Sequence, residues 1–250
     1  MVILNRPVGF KPNSRFFIRH AFWNVSMEKY LKQFTPKELS KMTGIAKAAA
    51  KLFNEKGFLE TSMDDISAAA RLSKGGIYHY FSSKNEMLYF ISTNFMGLLL
   101  KDLEQELKKI EENFVKIQFI ISRHIDFYTK HLAEAKTTIH EGHLLPSEYF
   151  KIIGEQERQY HRIVNNVLSD FFGGQISEDQ LKVLTFILFG TCNGIYFWYD
   201  PKGSMTPKEL SGIIIDILCR GLAGYKVKGK TKVKGKNPRG SNVTEVFSRN

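Results

Sequence analysis

The chain has 250 residues, of which 43% are apolar and 24% charged, so it can bury a large core and is too apolar to be disordered throughout. Its formal net charge of +11 is concentrated at the ends: residues 1–35 carry +5, 36–92 carry +2, 93–225 carry −3 and 226–250 carry +7. This distribution indicates a polyanionic partner and a nearly neutral folded region between two basic ends.

Residues 1–35 precede the first strong helix signal, and the first 26 of them contain no acidic side chain. They lack an apolar stretch long enough for a secretory signal, although an organellar transit peptide would share their composition. We predict a flexible basic N-terminal arm over 1–35. The alternative is that Met27 is the true initiator.

A capping box marks the start of the first predicted helix. Thr35 can cap it, Pro36 stands at the first helical position, and Glu38 can return a hydrogen bond to the cap. Apolar residues then recur at helical spacing as far as Gly57, which ends the helix.

Two short helices are predicted next, over 63–70 and 74–80, and they are too short to be stable without packing against the first helix. A fourth helix begins at a second capping box, Ser83 to Glu86, and its apolar pattern continues well past residue 100. Two short helices joined by a tight turn and braced by a longer one form a helix-turn-helix, whose second helix fits the major groove of DNA.

Helix signals also dominate the rest of the chain, and no stretch shows the sustained period of two that marks a strand. The predicted fold class is therefore all-α. The lysine-rich segment 226–250 has low complexity and cannot bury a core, so we predict a disordered basic tail there. Further helices are predicted over 111–131, 132–143, 147–172, 178–199 and 206–223.

The uncharged stretch Val183 to Trp198 has sixteen residues, fewer than the ~20 apolar residues that a membrane-spanning helix needs. We therefore predict no transmembrane segment and no membrane partner. The two cysteines, Cys192 and Cys219, lie in apolar runs and form no CxxC pair, which indicates buried thiols in a reducing cytoplasm.

Enzymes and metal proteins are disfavoured by the motifs. The chain contains no P-loop, nucleophile elbow or GxGxxG, so we predict no enzymatic activity and no cofactor. His140 and His143 flank Glu141 and Gly142, but this spacing is not that of HExxH, and no metal site is predicted.

The region 36–92 resembles the TetR family of transcriptional regulators over about fifty residues with consistent spacing. The resemblance implies an N-terminal helix-turn-helix domain over 36–92 that binds operator DNA and a C-terminal helical domain over 93–225 for ligand binding and homodimerisation. The residues that carry it are Ile45-Ala46-x-Ala48-Ala49-x-x-Leu52-Phe53-x-x-x-Gly57-Phe58, Thr61-Ser62-Met63-x-Asp65-Ile66 and Leu72-Ser73-Lys74-Gly75-x-Ile77-Tyr78-x-Tyr80-Phe81-x-Ser83-Lys84.

The same resemblance implies which residues meet DNA. Lys74 and its neighbours on the second short helix would read bases, whereas phosphate contacts would come from Thr61 or Ser62, Tyr78, His79, Tyr80 and Lys84. Independently of the resemblance, Ser73 can cap that helix and leave its first amides facing a phosphate, and Gly75 and Gly76 allow the backbone to approach DNA closely.

Two positions depart from the pattern of many members of this family, which have glycine where this chain has Arg71 and a side chain where it has Gly76. We expect Arg71 to fit if the turn avoids positive φ, or to add a phosphate contact. Gly76 removes one side chain from base reading, so DNA shape and the residues Lys74 and Tyr78 would carry more of the specificity.

The helices over 93–225 are rich in aromatic residues, which must supply a core and a dimer seam. Polar side chains among them are the better indicators of a ligand pocket, because such pockets place a few polar groups in apolar walls. The candidate ligand-binding residues are Phe95, Leu99, Arg123, His124, Phe127, Arg158, His161, Arg162, Asn193 and Trp198.

A second resemblance concerns the C-terminal helix pair, which is similar to that of TetR regulators that respond to acyl-CoA thioesters. It implies a repressor that a small hydrophobic ligand, such as an acyl-CoA, releases from its operator. The residues that carry it are Gly190-x-x-Asn193-x-x-Tyr196-x-Trp198-Tyr199-Asp200-Pro201-x-Gly203-x-x-Thr206-x-x-Glu209-Leu210 and Gly221-Leu222.

Two alternatives stay open at this point. The effector could be an unrelated hydrophobic compound, such as a drug or an aromatic molecule in efflux control, or the protein could bind DNA without sequence preference through its basic tail. In every case we expect a cytoplasmic protein associated with the nucleoid.

Overall fold

The structure is a computed structural model that describes residues 34–224. The predicted basic tail over 226–250, and all but the last two residues of the predicted arm over 1–35, lie outside the described residues. Every regular element within 34–224 is helical, which confirms the predicted all-α class.

The described helices are numbered here in chain order. They are α1 (Pro36–Lys56), α2 (Met63–Ala70), α3 (Lys74–Tyr80), α4 (Lys84–Leu100), α5 (Leu103–Lys108), α6 (Asn113–Lys130), α7 (Leu132–Glu141), a short 3₁₀ helix (Gly142–Leu144), α8 (Ser147–Phe171), α9 (Glu178–Asn193), α10 (Ile195–Trp198) and α11 (Pro207–Gly224).

The first capping box forms as predicted: Thr35 Oγ1 accepts from the Glu38 N–H at 3.3 Å, and the Glu38 carboxylate accepts from the Thr35 N–H at 2.7 Å. The second box differs from the prediction. Ser83 Oγ accepts from the Glu86 N–H, but the Glu86 carboxylate accepts from the N–H and hydroxyl of Ser82, both at 2.6 Å. The buried carboxylate therefore fixes the chain one residue before the predicted cap.

Helix α4 ends at Leu100, which is earlier than its apolar pattern suggested. Asp102 adopts a left-handed conformation with φ of 58°, which interrupts the helix before α5. The Arg123 guanidinium donates to the carbonyl of Leu99 at 3.3 Å and to that of Lys101 at 2.6 Å. An arginine from α6 thus satisfies carbonyls that the broken helix leaves free.

The described residues pack as two compact units, one formed by residues up to Met96 with Ala133–Gly154 and the other by Gly97–Leu132 with residues from Glu155 onward. The sequence placed residues 133–154 in the second domain, whereas here they pack with the N-terminal helices. That residues 36–92 form a DNA-binding domain and residues 93–225 a ligand-binding domain stays a prediction.

The first unit is built on α1 to α3. Phe53 of α1, Ile66 of α2 and Ile77 of α3 are almost completely buried in one apolar cluster, which holds the two short helices in place. Asn54 donates from its side-chain amide to the Ala133 carbonyl at 2.8 Å, so α7 packs against α1 in the same unit.

The second unit is organised around α6, which packs against α9, α10 and α11. Its apolar face buries Ile117, Ile120, Ile121 and Ile125. His124 lies on the same face and is completely buried, so the core of this unit contains a polar ring.

The segment Glu178–Trp198 is the one described stretch long and apolar enough to cross a membrane, with a mean hydropathy of 1.3. A single such helix is weak evidence for a span, because core helices of soluble proteins pass the same test. One third of the stretch is buried, and α9 ends at Asn193 before α10 begins at Ile195.

Candidate nucleic-acid interface and effector site

The turn of the helix-turn-helix contains a strained arginine. Arg71 has φ of 54° and ψ of 44°, and its N–H bonds to the Ala68 carbonyl at 3.2 Å while the Leu72 N–H bonds to the Ser67 carbonyl at 3.0 Å. The turn therefore has positive φ at Arg71, so the condition under which this residue would fit without strain is not met. The tight closure at the end of α2 requires a left-handed residue, a conformation that costs a non-glycine residue roughly 1–2 kcal/mol.

The N-terminus of α3 is capped and sterically open. Ser73 Oγ accepts from the Gly76 N–H at 3.1 Å. A Cβ on Gly76 would lie 3.3 Å from Ser73 Oγ, whereas a Cβ on Gly75 would meet nothing within 4 Å. Packing within the chain gives a reason for glycine at 76 but none at 75, so the open surface at Gly75 is where another molecule can approach the backbone.

Helix α3 divides its side chains between core and surface. Ile77 is completely buried, as is Phe81, which follows the helix. Tyr78 is 46% exposed and His79 is exposed, with the His79 ring edge-on to Tyr80 at 4.9 Å. Tyr80 is half-buried and packs against the apolar cluster of the first unit.

Lys74, predicted to read bases, is already paired within the chain. Its Nζ lies 2.8 Å from Asp64 Oδ1, and both side chains are exposed. Asp64 raises the pKa of Lys74 through this hydrogen bond. No sequence pattern indicates this partner, since ten residues and a turn separate the two positions.

Two predicted phosphate-binding hydroxyls hold the loop before α2. Thr61 is 1% exposed and donates to the Gly57 carbonyl at 2.7 Å. Ser62 caps α2, accepting from the Asp65 N–H at 3.0 Å and donating to the Asp65 carboxylate at 2.7 Å. Both hydroxyl protons are therefore engaged within the first unit.

Lys84 also ties this loop to α4. Its ammonium donates to the carbonyl of Phe58 at 2.6 Å and to that of Leu59 at 3.0 Å, and it lies 4.9 Å from the centre of the Phe58 ring. Burial lowers the pKa of Lys84. The motif had implied a phosphate contact for this lysine, and the packing gives it a second, structural role.

In the second unit, the predicted arginine ligands are paired at or near the surface. Arg123 caps the end of α4 and pairs with Glu106, whereas Arg158 and Arg162 both pair with Glu155, at 2.8 and 3.2 Å. Two arginines share this single carboxylate on the exposed face of α8.

The predicted aromatic and apolar ligand residues differ in burial and in the unit to which they belong. Phe95 is buried in the first unit and Leu99 in the second, while Phe127 packs against His131 at 4.5 Å. Trp198, in the second unit, is 60% exposed.

Two predicted polar ligands do lie together. His124 is completely buried, and the side chain of Asn193 is close enough to affect its pKa. Burial lowers the pKa of His124 to about 3, with a smaller opposing effect from Asn193. Half-buried His161 belongs to the same neighbourhood, since its ring lies 4.3 Å from that of Phe189, which in turn lies 6.2 Å from that of His124.

Helices α9 and α11 of the second unit expose large apolar side chains at helical spacing. Phe189 of α9 and Tyr196 of α10 are buried instead, at 5% and 6% exposure. Five side chains that are 49–66% exposed form what we call the apolar face: Val183, Phe186 and Ile187 of α9 with Ile213 and Ile217 of α11.

Among residues 34–224, no group of three or more histidine, cysteine, aspartate or glutamate side chains is arranged to hold a metal ion.

Comparison with known proteins matches two domain families to this chain, one in its N-terminal part and one in its C-terminal part. Residues 45–89 match "Bacterial regulatory proteins, tetR family" and residues 115–222 match "Tetracyclin repressor-like, C-terminal domain". The HTH-type transcriptional repressor KstR2 of Rhodococcus jostii (strain RHA1) is 26% identical over 72% of this chain and 90% of its own. The fatty acid metabolism regulator protein of Bacillus subtilis (strain 168) is 24% identical over 77% of this chain and 98% of its own.

Among solved structures, the fold is similar to that of AibR in complex with isovaleryl coenzyme A and operator DNA, with a TM-score of 0.62. The identity is 24%, and the alignment covers 71% of this chain and 97% of AibR.

Proposed function

The chain belongs to the TetR family of DNA-binding transcriptional repressors, which are not enzymes, and from this premise we propose that a small hydrophobic effector releases it from its operator. The observation that carries the DNA-binding part is the exposed surface of α3. It combines an uncovered backbone at Gly75 with the exposed side chains of Lys74, Tyr78 and His79.

The proposed docking places α3 in the major groove, with Lys74 reading base edges. Tyr78 and His79 project from the exposed face of α3 toward the phosphates. Arg71 is exposed and has no ion-pair partner among residues 34–224, so its guanidinium is available for a phosphate. Thr61 and Ser62 would contribute through their backbone, because their hydroxyl protons are engaged.

A homodimer is the form in which this helix can meet a palindromic operator. The apolar face supports dimerisation, because five large apolar side chains about half exposed on adjacent helices are more than a monomer leaves in contact with water. Two copies packed through this face would bury it in a four-helix arrangement.

The effector is proposed to bind in the second unit, where a neutral polar group lies in an aromatic core. Support for an acyl-CoA comes from AibR, which was solved with isovaleryl coenzyme A, and from the relative named for fatty acid metabolism. Arg158 and Arg162, which share one carboxylate, would suit a phosphorylated head group.

The test begins by mapping the DNA that the full-length protein protects near its own gene. On that DNA, Tyr78→Ala and Lys74→Ala are expected to weaken binding and lower its salt dependence, whereas Lys182→Ala on α9 should change neither. Normal binding by both α3 variants would show that the docking is wrong. Equal binding to random DNA would favour a sequence-indifferent binder instead.

For the effector, a chain-length series of acyl-CoAs is titrated against the DNA complex and the thermal midpoint. A matching acyl-CoA should release DNA and raise the midpoint, and affinity should grow with chain length at about 0.8 kcal/mol per methylene. Free CoA serves as the control and should do neither. A flat response across the series would leave an unrelated hydrophobic compound as effector.

TetR-family regulators are soluble cytoplasmic proteins, and we propose that this one associates with the nucleoid through its operator.

A further inference from the structure

The start of α1 carries two exposed positive charges. Lys37 and Lys41 stand four residues apart, so their side chains leave the helix on the same face, and both are exposed. Neither has an ion-pair partner among residues 34–224. Lys56, at the other end of α1, pairs instead with Asp65 at 2.8 Å. The two charges at the start of α1 are therefore free to meet an anion from outside the chain.

Helix stability does not explain a lysine at position 37. The free amides at the start of a helix make that end partly positive, so an anion in the first turn is favourable and a cation there costs free energy. Glu38 follows this rule, because it completes the capping box with Thr35. Lys37 opposes it, which indicates that a contact outside the helix accounts for this cation.

Glu38 also shows where this end of α1 lies. Hydrogen bonds from Thr35 lower the pKa of the Glu38 carboxyl, and His79 lowers it further by a smaller electrostatic effect. His79, an exposed residue of α3, is therefore close to Glu38. Lys41 follows Glu38 by three residues, so the two are neighbours on the helix surface, and Lys37 lies about one turn before Lys41. Both lysines thus lie beside the part of α3 that contains His79.

The charge at this end of α1 fits a polyanion. Residues 1–33, which precede it, carry six Lys and Arg against Glu28, a net charge of +5. Phe34 packs against the apolar cluster of the first unit, so this basic segment joins the folded chain at the start of α1. The polyanion that the proposed docking places next to α3 is DNA, whose strands present phosphates on both sides of the groove that α3 would enter.

We propose that Lys37 and Lys41 bind operator phosphates next to those contacted by α3, which makes the start of α1 a second DNA-binding surface. This inference rests on the proposed function, because the docking of α3 is what places DNA beside α1. Lysine contacts phosphate as a point charge and reads no base, so this surface adds affinity and fixes the orientation of the protein without adding sequence preference.

The experiment measures DNA affinity at several salt concentrations for three full-length proteins: wild type, Lys37→Gln combined with Lys41→Gln, and Lys47→Gln combined with Lys151→Gln. Each protein is measured on operator DNA and on random DNA. Glutamine has nearly the helix propensity of lysine, so the substitutions remove charge and preserve the helices.

The pair Lys47 and Lys151 is the matched control, because both residues are exposed, belong to the first unit and lack an ion-pair partner among the described residues. Lys47 lies ~9 Å further along the axis of α1 than Lys41 and on another side of the helix. The control variant therefore loses the same net charge from other places on the same unit.

In the variant of Lys37 and Lys41, the slope of log affinity against log salt concentration should fall by about two, and affinity at about 0.1 M salt should fall on the order of 10- to 100-fold. The loss should be equal on operator and random DNA, since phosphate contacts carry no sequence information. The control variant should bind as wild type does. The thermal midpoint of the Lys37 and Lys41 variant should not fall, which separates a DNA contact from a structural role.

Wild-type affinity in the variant of Lys37 and Lys41 would show that these lysines are only solvated, and equal losses in the control would show an effect of net charge. Either result would overturn the proposal, as would a loss confined to operator DNA, which would indicate base reading. If Lys74→Ala and Tyr78→Ala weaken binding and the variant of Lys37 and Lys41 does not, the docking of α3 stands and only this inference fails.

Discussion

At the scale of single residues, the helix-turn-helix contains one residue, Arg71, whose backbone conformation costs free energy. Arg71 is left-handed and exposed, and it lacks an ion-pair partner among the described residues. Strained residues often persist where function selects the side chain, and we propose that the Arg71 guanidinium is kept for contact with a DNA phosphate.

Arg71→Gly is expected to stabilise the protein by about 1 kcal/mol, because glycine adopts this conformation without steric cost. Urea unfolding measures the change. Arg71→Ala is the matched control, since it removes the guanidinium and keeps the strain, so it should give no stabilisation. Both variants should bind operator DNA more weakly, with a salt slope reduced by about one. Unchanged binding by both would remove Arg71 from the interface.

Asp64, unlike Arg71, is a residue that no sequence pattern singled out. Asp64→Asn is expected to strengthen DNA binding, because it frees Lys74 and removes a negative charge next to the phosphates. Affinity measured at several salt concentrations tests this. Asp216→Asn, which breaks an exposed pair with Arg220 in the second unit, is the control and should leave DNA affinity unchanged. Weaker binding by Asp64→Asn would mean that Asp64 positions Lys74 for its contact.

At the scale of elements, the first unit depends on a loop that one lysine closes. The chain between α1 and α2 turns at Gly57, and Lys84 at the start of α4 donates to two carbonyls of that loop. Through these bonds the position of α2 depends on the position of α4.

Lys84→Met keeps the aliphatic stem and removes the ammonium, so the carbonyls of Phe58 and Leu59 lose their donor. A loss of roughly 1–3 kcal/mol in the free energy of unfolding is expected, since a hydrogen bond to a charged group contributes that much. Lys47→Met, at an exposed position of α1, is the control. A full-stability Lys84→Met protein that still binds DNA poorly would restrict this lysine to a phosphate contact.

At the scale of the whole molecule, the assembly follows from the apolar face. Ile217→Lys is expected to give a monomer at micromolar concentration, because a charge would be buried at the centre of the dimer contact. Leu59→Lys is the matched control: Leu59 is 71% exposed but lies in the first unit. Sedimentation measures the mass. A monomeric wild-type protein would contradict the proposed dimer.

Global stability should depend on pH through His124. Its pKa is about 3 when folded against an ordinary value near 6.5, so the unfolded chain binds the extra proton first. This contribution to stability is complete above pH ~6.5 and is lost as pH falls toward 3, by about 2 kcal/mol between pH 6.5 and 5. Urea unfolding at both pH values tests it, and His124→Gln should lose less stability over this interval than wild type.

The sequence by itself determined the all-α class, most of the helix starts and the family, but not the end of α4. Capping residues, glycine stops and apolar periodicity are local signals, so Thr35, Gly57 and Ser73 were sufficient to place the first three helices. The proposed docking surface is also local, because it lies mainly within the seven residues of α3.

Only the tertiary structure decided which side chains are free to contact other molecules and which are paired or buried within the chain. Lys74 and Asp64, Lys84 and Phe58, and His124 and Asn193 are each far apart in sequence, and no period links them. Likewise, apolar periodicity cannot separate a core face from a dimer face, so Phe189 and Phe186 looked equivalent until packing buried one and exposed the other. Pairing and burial depend on how distant helices meet, and that is set by the packing of the whole unit.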